Sequence, residues 1–480
     1  MQGTFAACVN CHRRSGLGHM EGQIVIPPIT AKYLFRLSNE SPEHAMESHV
    51  RAAYTDSTLA KAIREGVDPS GRPLDYLMPR YKLDGQTMAV LIEYLKGLSK
   101  GPVPGVTSDT LHFATIITPD ADPIARKGML DVIEHYFAAK NASYLTQAPP
   151  FPDLGVMRPL PRKWQLHVWE LAGPPESWEE QLRKRLRAEP VFAVISGLGG
   201  KTWAPVHHFC EQESLPCLLP NVELPLVAED DFYPVYFSKG VLLEAELIAH
   251  RLREKPAASA RRRVVQVYRE DDIGSEAAKA LRTGTAAEGF KVVDRIIHAG
   301  AAGRELADAL KETGTGDAVV LWLRPEDLRS LTPEAPQGPE FLFSGLMGGL
   351  ENAPLPAAWR SRAHMTYPFD LPELRVTRML YPIEWCRFQH VPVVAERIQA
   401  DTYIACDTLA QNVSHIGDDL VRDYLVERIE DMLSSRLFDG YYPRLELAPG
   451  QRFASKGGYI VHFADASGTK LAAEGEWIVP

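Results

Sequence analysis

The pattern of apolar and polar positions changes about one quarter of the way along the chain. In residues 1–98, apolar side chains recur at helical spacing within short segments that Gly and Pro separate. Asp56 is positioned to begin one helix that Gly66 ends, and Asp84 to begin another. The pattern therefore predicts a small all-α domain over these residues.

Beyond residue 110, apolar runs of strand length alternate with amphipathic stretches of helix length. The predicted strands are 111–118, 191–195, 217–219, 264–268, 291–297 and 318–323, and the predicted helices are 123–140, 202–213, 239–253, 275–288 and 304–312. Repeated βα units imply parallel sheets with helices on both faces. Because the pattern is too long for one sheet, we expect two α/β lobes, with crossings near residues 236 and 360.

Two stretches have the composition of connecting segments. Residues 99–109 are rich in Gly, Pro and Ser, which is typical of a linker, and the proline-rich residues 148–162 predict a long surface loop. The predicted organisation is therefore a domain at 1–98, a linker at 99–109 and a two-lobed module at 110–480.

Composition narrows the class of protein. Apolar residues make up 45% and charged residues 24% of the 480 positions, and the mean hydropathy is −0.18. There is no apolar run of about 18 residues, so no membrane span is expected. The net charge of −10, with its acidic excess beyond residue 100, gives no support to nucleic-acid binding.

A short cysteine motif near the start suggests a redox cofactor. Residues 8–12 read CVNCH, in which Cys8 and Cys11 could each add to a porphyrin vinyl group while His12 binds the iron. Further along, Met78 stands before a proline and could supply a thioether ligand. Iron held between a histidine and a methionine has no open position for substrate, which is typical of electron transfer.

Other chemistries of this motif remain open from the residues alone. A zinc site would need two more ligands, for which His19, His44 and His49 are available. A thioredoxin-like dithiol would need a preceding strand, for which residues 4–7 are too few. A lipoprotein cysteine at Cys8 would need an apolar signal segment before it.

The N-terminal part resembles the small monohaem cytochromes c. The resemblance covers about residues 1–98 and rests on CVNCH, on AYTDSTLAKAIREGVDPSGRPL, and on MPRY followed by DGQTMAVLIEYLKGL. It implies one covalent haem c, with thioether bonds to Cys8 and Cys11 and with His12 and Met78 as axial ligands. It also implies that the Pro27 or Pro28 carbonyl accepts a hydrogen bond from the His12 ring. The family's first helix is longer than this chain allows.

Residues 110–480 resemble the type-one periplasmic binding proteins of the branched-chain amino-acid and amide-binding kind. The supporting stretches are AVISGLGGKTWAPVHHFCEQESLPCLLP, VVQVYREDDIGSEAAKAL, AVVLWLRPEDL and GYYPRLELAPGQRFASKGGYIVHFAD. Such proteins close two lobes over a small polar ligand by a hinge motion. The proline-rich insertion at 148–162 departs from the family pattern, so the ligand class is not carried over.

The second resemblance implies a ligand site at strand ends. Backbone N–H groups of the turn Ser196, Gly197, Leu198 and Gly199, with Lys201 beyond it, would receive a ligand carboxylate. The turns after Tyr268 and from Trp322 to Arg324 would face the cleft from the other lobe. An ordinary strand-to-helix turn, with Trp203 and Trp322 as packing residues, is the alternative.

Covalent haem attachment implies export, so we expect a periplasmic protein whose signal peptide is missing from this sequence. Proximity in sequence then favours a disulfide between Cys210 and Cys217, whereas buried free thiols are the alternative for these two and for Cys386 and Cys406.

Three functions compete. The first is an electron carrier whose receptor-like module binds a small ligand or docks a periplasmic redox partner such as a quinoprotein dehydrogenase. The second is the solute-binding component of an ABC-type uptake system with an accessory cytochrome. A haem enzyme ranks third, because Met78 would occupy the axial position of the iron that a substrate needs, and no second haem motif is present. We therefore expect a binding or carrier protein and rank electron transfer first.

Overall fold

The computed structural model describes residues 6–22, 24–37, 51–146, 162–228, 230–254, 263–298, 302–433, 440–465 and 468–480. The chain divides into two units. The first contains Met1–Pro104 and Ile416–Arg428, and the second contains Gly105–His415 and Ile429–Pro480. The sequence placed all of 110–480 in one module, whereas the structure groups Ile416–Arg428 with the N-terminal residues.

The first unit is not wholly helical. Its helices are α1 (Val9–His12), α2 (Ala31–Leu34), α3 (Asp56–Glu65) and α4 (Gly85–Gly97), and the strands β1 (His19–Glu21) and β2 (Ile24–Ile26) form an antiparallel pair. Gly22, at a φ of 60°, makes the turn between these strands. The β-branched residues of β2 favour extended backbone, which the prediction of an all-α domain overlooked.

Helices α3 and α4 begin and end close to the predicted positions. The Thr55 side chain, rather than that of Asp56, accepts the capping hydrogen bond of α3, and Gly66 ends this helix at a φ of 72°. Asp84 caps α4 as expected, with Oδ1 2.8 Å from the Thr87 nitrogen. The apolar faces of both helices pack together in a small core around Leu59, Ile63, Met88, Ile92 and Leu95.

Segment Ile416–Arg428 is attached to the N-terminal residues by polar contacts. The Glu427 carboxylate accepts hydrogen bonds from the Ser15 nitrogen at 2.9 Å and the Ser15 hydroxyl at 2.5 Å. The Lys32 ammonium lies 2.6 Å from Asp419. Burial raises the pKa of Glu427 to about 7, although the Ser15 donors oppose this shift.

The second unit has two lobes, each built on one sheet. The first sheet has the order β4-β3-β5-β6-β7, with all neighbours parallel. Its strands are β3 (Thr110–Ile117), β4 (Lys163–Glu170), β5 (Ala193–Ile195), β6 (Cys217–Leu218) and β7 (Pro234–Val235), and its helices are α5 (Pro123–Thr146), α6 (Trp178–Ala188) and α7 (Ala204–Gln212). A buried disulfide between Cys210 and Cys217 joins α7 to β6, while Cys386 and Cys406 are buried thiols.

The second sheet has seven strands in the order β14-β13-β12-β11-β10-β8-β9, of which β13 and β14 are antiparallel to their neighbours. The strands are β8 (Arg263–Arg269), β9 (Lys291–Ile297), β10 (Ala318–Trp322), β11 (Glu340–Phe343), β12 (Ala363–Tyr367), β13 (Tyr459–Phe463) and β14 (Leu471–Ala473). The helices of this lobe are α8 (Val241–Glu254), α9 (Gly274–Gly284), α10 (Ala302–Lys311), α11 (Pro325–Leu328), α12 (Gly345–Gly348) and α13 (Ala357–Arg360).

Within the residues that the structure describes, the chain crosses between the lobes three times. The first follows β7, close to the predicted residue 236. The second follows β12, because residues 363–367 still belong to the second sheet, so the predicted crossing near 360 is too early. A third, not predicted, lies between Phe453, which is bridged to Tyr236, and β13.

Three long helices lie between the second and third crossings: α14 (Pro372–Phe388), α15 (Glu396–Ile416) and α16 (Arg422–Met432). α15 packs on the first lobe, where Ile398 joins the cluster of Ile117 and Leu198. Among the helices that the structure describes, none is long and apolar enough to cross a membrane.

Candidate functional site

A cleft of about 630 Å³ opens between the two lobes of the second unit. In each lobe it lies at the carboxyl ends of parallel strands, where the turns after β3, β5, β6, β8 and β10 converge. This edge is the usual ligand position in open α/β sheets. The charged residues that line the cleft are Asp120, Asp122, Lys201, Glu223 and Arg397 on the first lobe, and Arg269, Asp271, Asp272, Arg324 and Glu326 on the second.

The predicted turn Ser196–Gly199 reaches this cleft, but the backbone N–H groups of Ser196, Leu198 and Gly199 donate to the protein itself. The Leu198 nitrogen donates to the Ile116 carbonyl at 2.9 Å, and the Gly199 nitrogen donates to the Asn221 carbonyl at 3.3 Å. Ser196 is buried. The predicted role of these groups as a carboxylate receptor is therefore not realised in this structure.

The backbone N–H groups just before α7 also donate to acceptors within the protein. The Gly200 nitrogen donates to the Thr118 hydroxyl at 3.2 Å, and the Lys201 nitrogen donates to Asp120 Oδ2 at 2.7 Å. The chain's own carboxylate thus stands where a ligand carboxylate was expected.

Gly197 has a packing reason for its identity. Its φ is 123°, and an added Cβ would lie 3.0 Å from both the Ile116 carbonyl and the Trp203 ring. A bulky residue here would disturb the sheet edge itself, so this position is not a selective probe of ligand binding.

Tyr268 and Trp322 belong to the core of the second lobe rather than to the cleft wall. The Trp322 ring nitrogen donates to Gln266 Oε1 at 3.1 Å, and the Tyr268 hydroxyl donates to Asp294 at 3.2 Å. The residues that follow them, Arg269 and Arg324, do line the cleft. The predicted turns therefore reach the cleft, and the two predicted side chains do not.

Ion pairs connect the two lobes across the cleft. Arg324 of the second lobe lies 2.8 Å from Glu223 of the first and 2.8 Å from Asp272 of its own lobe. Lys201 and Asp271 face each other at 3.6 Å, both well exposed. Burial opposes ionisation of Asp272, yet Arg324 holds the pKa of this carboxyl below its usual range.

The deep end of the cleft contains two polar residues that sequence reasoning missed. Asn221 and Asp401 are both buried and line a small cavity with Glu223 and Arg397. Burial raises the pKa of Asp401 to about 7, although Arg397 at 3.6 Å opposes the shift. An acidic residue within the mostly apolar stretch QADTYIAC was a signal that could have identified this position.

The first unit arranges the cysteine motif as a haem site would require. His12 is buried, and its Nδ1 lies 2.8 Å from the Pro27 carbonyl oxygen. Because Pro27 offers only an acceptor there, Nδ1 is the protonated nitrogen and Nε2 keeps its lone pair for a metal. Cys8 and Cys11 are both free thiols, one helical turn apart.

A hydrogen bond links the segment after Met78 to the residues before α1. The Tyr81 hydroxyl donates to the Ala6 carbonyl, and burial beside the Cys8 and Cys11 thiols raises the pKa of Tyr81 to about 12. Met78 is half-buried, and its apolar neighbour Leu77 is exposed. The arrangement of Cys8, Cys11 and His12 fits a covalently attached haem c group.

The zinc alternative finds no support in the part of the chain that the structure describes. No group of three or more His, Cys, Asp or Glu side chains there could hold a metal ion. His44 and His49, which the zinc interpretation would use, and most of the proline-rich segment 148–162 lie outside the described residues.

No family model matches the chain, and no curated protein matches it. Several solved structures, however, are similar to it in fold. A fatty acid ABC transporter substrate-binding protein from Thermomonospora curvata is 16% identical, with a TM-score of 0.56, over 79% of this chain and 95% of that protein.

Two further structures give the same likeness. A substrate-binding periplasmic protein from Ralstonia solanacearum is 14% identical, with a TM-score of 0.53, over 76% of this chain and all of that protein. A branched chain amino acid ABC transporter protein from Thermus thermophilus, with bound valine, is 12% identical, with a TM-score of 0.51, over 78% and 98%. None of these three is a cytochrome, so they give no support to the first resemblance. The chain thus contains the two-lobed α/β fold of the type-one periplasmic solute-binding proteins.

Proposed function

We propose that this protein is a solute-binding receptor, exported to the periplasm, that closes the two lobes of its second unit over a small polar ligand. The observation that carries the proposal is the cleft of about 630 Å³ with the Arg324–Glu223 ion pair across it. A volume of this size suits a small molecule. An ion pair between lobes gives the closed arrangement a favourable contact that an open one lacks.

The comparisons favour this function over the electron carrier that the sequence ranked first. The named neighbours are binding proteins and not enzymes, and two of them are named for ABC transporters. We therefore propose a role in ABC-type uptake as the principal function.

We propose in addition that the first unit carries one covalent haem c. The observation in favour is the His12–Pro27 hydrogen bond, which sets the ring tautomer that a metal ligand needs. Cys8 and Cys11 would form the thioethers, and His12 and Met78 would hold the iron. When bound, such a group supplies one-electron chemistry. Electron transfer to a periplasmic partner such as a quinoprotein dehydrogenase is thus the second candidate function.

The receptor proposal is tested by a thermal-shift screen of small polar metabolites with the full-length protein, followed by titration calorimetry of each hit. Glu326 is exposed on the cleft wall, so Glu326→Trp should fill the cleft and weaken binding of a hit at least tenfold. Glu334→Trp makes the same change at an exposed position that does not line the cleft and should leave affinity within twofold. Equal affinities in both variants would show that the hits bind elsewhere.

A further inference from the structure

A small cavity at the deep end of the cleft has two acceptor atoms without hydrogen-bond partners. Asn221 and Asp401 are 4% and 1% exposed, and Oδ1 of each has no partner among the described residues. An orphaned polar atom in a protein interior costs about 1–3 kcal/mol, so two that share one cavity indicate a missing donor.

The orientation of the Asn221 amide is set by its neighbours. The Thr402 hydroxyl donates to the Ile398 carbonyl at 2.7 Å, so it can only accept from Asn221 Nδ2, 3.2 Å away. Nδ2 also lies 3.0 Å from the Ser196 hydroxyl. The amide nitrogen is therefore committed to these hydroxyls, and Oδ1 is the atom left for a donor in the cavity.

The charge of Asp401 is only loosely compensated. Arg397 lies 3.6 Å from Asp401 and is shared with Glu223, which lies 3.5 Å away. A buried carboxylate held in this way is unfavourable unless a further cation or a proton neutralises it.

The size of the cavity suits a single small head group. Its free volume is about 10 Å³, which is room for one group the size of a water molecule or an ammonium. Tyr236, Phe237, Phe369 and Tyr442 also line it, and their ring faces already pack on other rings or on Arg397, so they give the cavity its shape. Nearer the cleft mouth, the expected carboxylate position is filled by Asp120.

We propose that this cavity is a subsite for a protonated amine, and that the cleft ligand is a small organic cation rather than a carboxylate. The inference rests on the proposed receptor function and specifies its ligand class. The ammonium would donate to Asp401 and Asn221, while the remainder of the ligand extends into the larger cleft past Glu223.

The test is titration calorimetry of the full-length protein at pH 8 with n-butylammonium, butyrate, leucine and ammonium chloride. We expect n-butylammonium to bind and butyrate not to bind. Asp401→Asn should weaken n-butylammonium binding at least tenfold. Asp308→Asn is the matched control, because it removes the same charge from an exposed position of α10 that does not line the cleft or the cavity. It should change affinity less than threefold.

A second readout uses the wild-type protein alone. Binding at pH 7 should release about half a proton, because Asp401 is then about half protonated, and the calorimetric enthalpy should vary with the ionisation enthalpy of the buffer.

Tight binding of butyrate or leucine that Asp401→Asn leaves unchanged would overturn this inference and leave the receptor proposal standing. Ammonium chloride binding as tightly as n-butylammonium would overturn it in favour of an inorganic cation site. Failure of all four probes would also overturn it, and the metabolite screen with Glu326→Trp then decides the receptor proposal separately.

Discussion

Glu244 and Asp401 are carboxyl groups in the interior of the second unit, and burial raises the pKa of each to about 7. Their surroundings differ. Glu244 accepts hydrogen bonds from the Ser344 hydroxyl, the Leu346 nitrogen at 3.0 Å and the Thr366 hydroxyl at 2.7 Å. Asp401 has one oxygen without a partner. The first is a structural group, and the second is available to a ligand.

Amine binding should depend on the protonation of Asp401. This carboxyl faces Arg397 on its own helix, Glu223 from the turn after β6 and Tyr442 from the chain after α16. An ammonium is held best by the ionised form, so affinity for n-butylammonium should rise about tenfold from pH 6 to pH 8 and then level off. Titration calorimetry at fixed ionic strength measures this. An affinity that is flat over the range would exclude Asp401 as the titrating group.

Glu244→Gln tests the structural carboxyl. Between pH 5 and pH 7, an ionisable Glu244 stays protonated in the native state and loses its proton in the unfolded state, so its contribution to the free energy of unfolding falls as pH rises. Glutamine has no such dependence. The wild-type protein should lose roughly 2 kcal/mol relative to the variant over this range, measured by urea unfolding. A constant difference would mean that Glu244 is ionised in the native protein.

Met78→Ala tests the axial ligand of the holoprotein. If Met78 binds the iron, the near-infrared sulfur-to-iron band of the oxidised protein should disappear and added imidazole should bind. Met20 is exposed in the same unit, so Met20→Ala is the control and should keep the band. Loss of the band in Met20→Ala instead would reassign the ligand.

A site residue could be predicted from the sequence when it lies in a turn directly after a predicted strand. The turns after β8 and β10 were predictable because strand ends of parallel sheets share one edge. The prediction that the Tyr268 and Trp322 side chains face the cleft was wrong, because both are strand residues whose side chains pack in the core. Asn221 and Asp401 meet only through the packing of α15 on the first lobe, which no local pattern reports.

At the scale of elements, strands with continuous apolar runs were predicted well. β9 has the predicted bounds. β8 is one residue longer than predicted at both ends, and β10 ends one residue earlier than predicted. β4 was missed although its sequence KWQLHVWE alternates polar with apolar residues, which is a strand pattern, because it directly follows the proline-rich stretch that predicted a loop. α6 was missed because WEEQLRKRLRA is mostly charged, and only Trp178 and Leu182 are buried.

The Cys210–Cys217 disulfide should stabilise the junction of α7 and β6. It closes a short loop, which by chain entropy is worth about 2 kcal/mol. Cys210→Ala should lower the free energy of unfolding by at least that amount, measured by chemical denaturation without reductant. Cys406→Ala, at a buried free thiol, is the control for loss of side-chain volume alone. Equal losses in both variants would show that the bond adds nothing.

At the scale of the whole molecule, the two-lobed architecture was predictable from the βα alternation, while the division of the chain was only partly so. Nothing in local composition marks Ile416–Arg428 as belonging with the N-terminal residues. Its polar contacts, such as that of Glu427 with Ser15, bring together positions far apart in sequence.

A fragment of residues 1–104 should therefore be less stable than the same residues in the full chain. Without Glu427, the Ser15 nitrogen and hydroxyl lose their acceptor, and Lys32 loses Asp419. We expect a melting temperature several degrees lower for the fragment, measured by circular dichroism in matched cofactor states. Identical melting curves would show that Ile416–Arg428 contributes nothing to this unit.

The central claim is that the protein binds a small ligand in the cleft of its second unit, with a protonated amine at Asp401. A crystal structure of the full-length protein grown with n-butylammonium, or with the best amine hit from the metabolite screen, tests it most directly. The account predicts ligand density in the cleft beside Glu223, with its nitrogen within hydrogen-bond distance of Asp401 and Asn221. An empty cleft, or a ligand whose carboxylate rather than amine lies at Asp401, would contradict it.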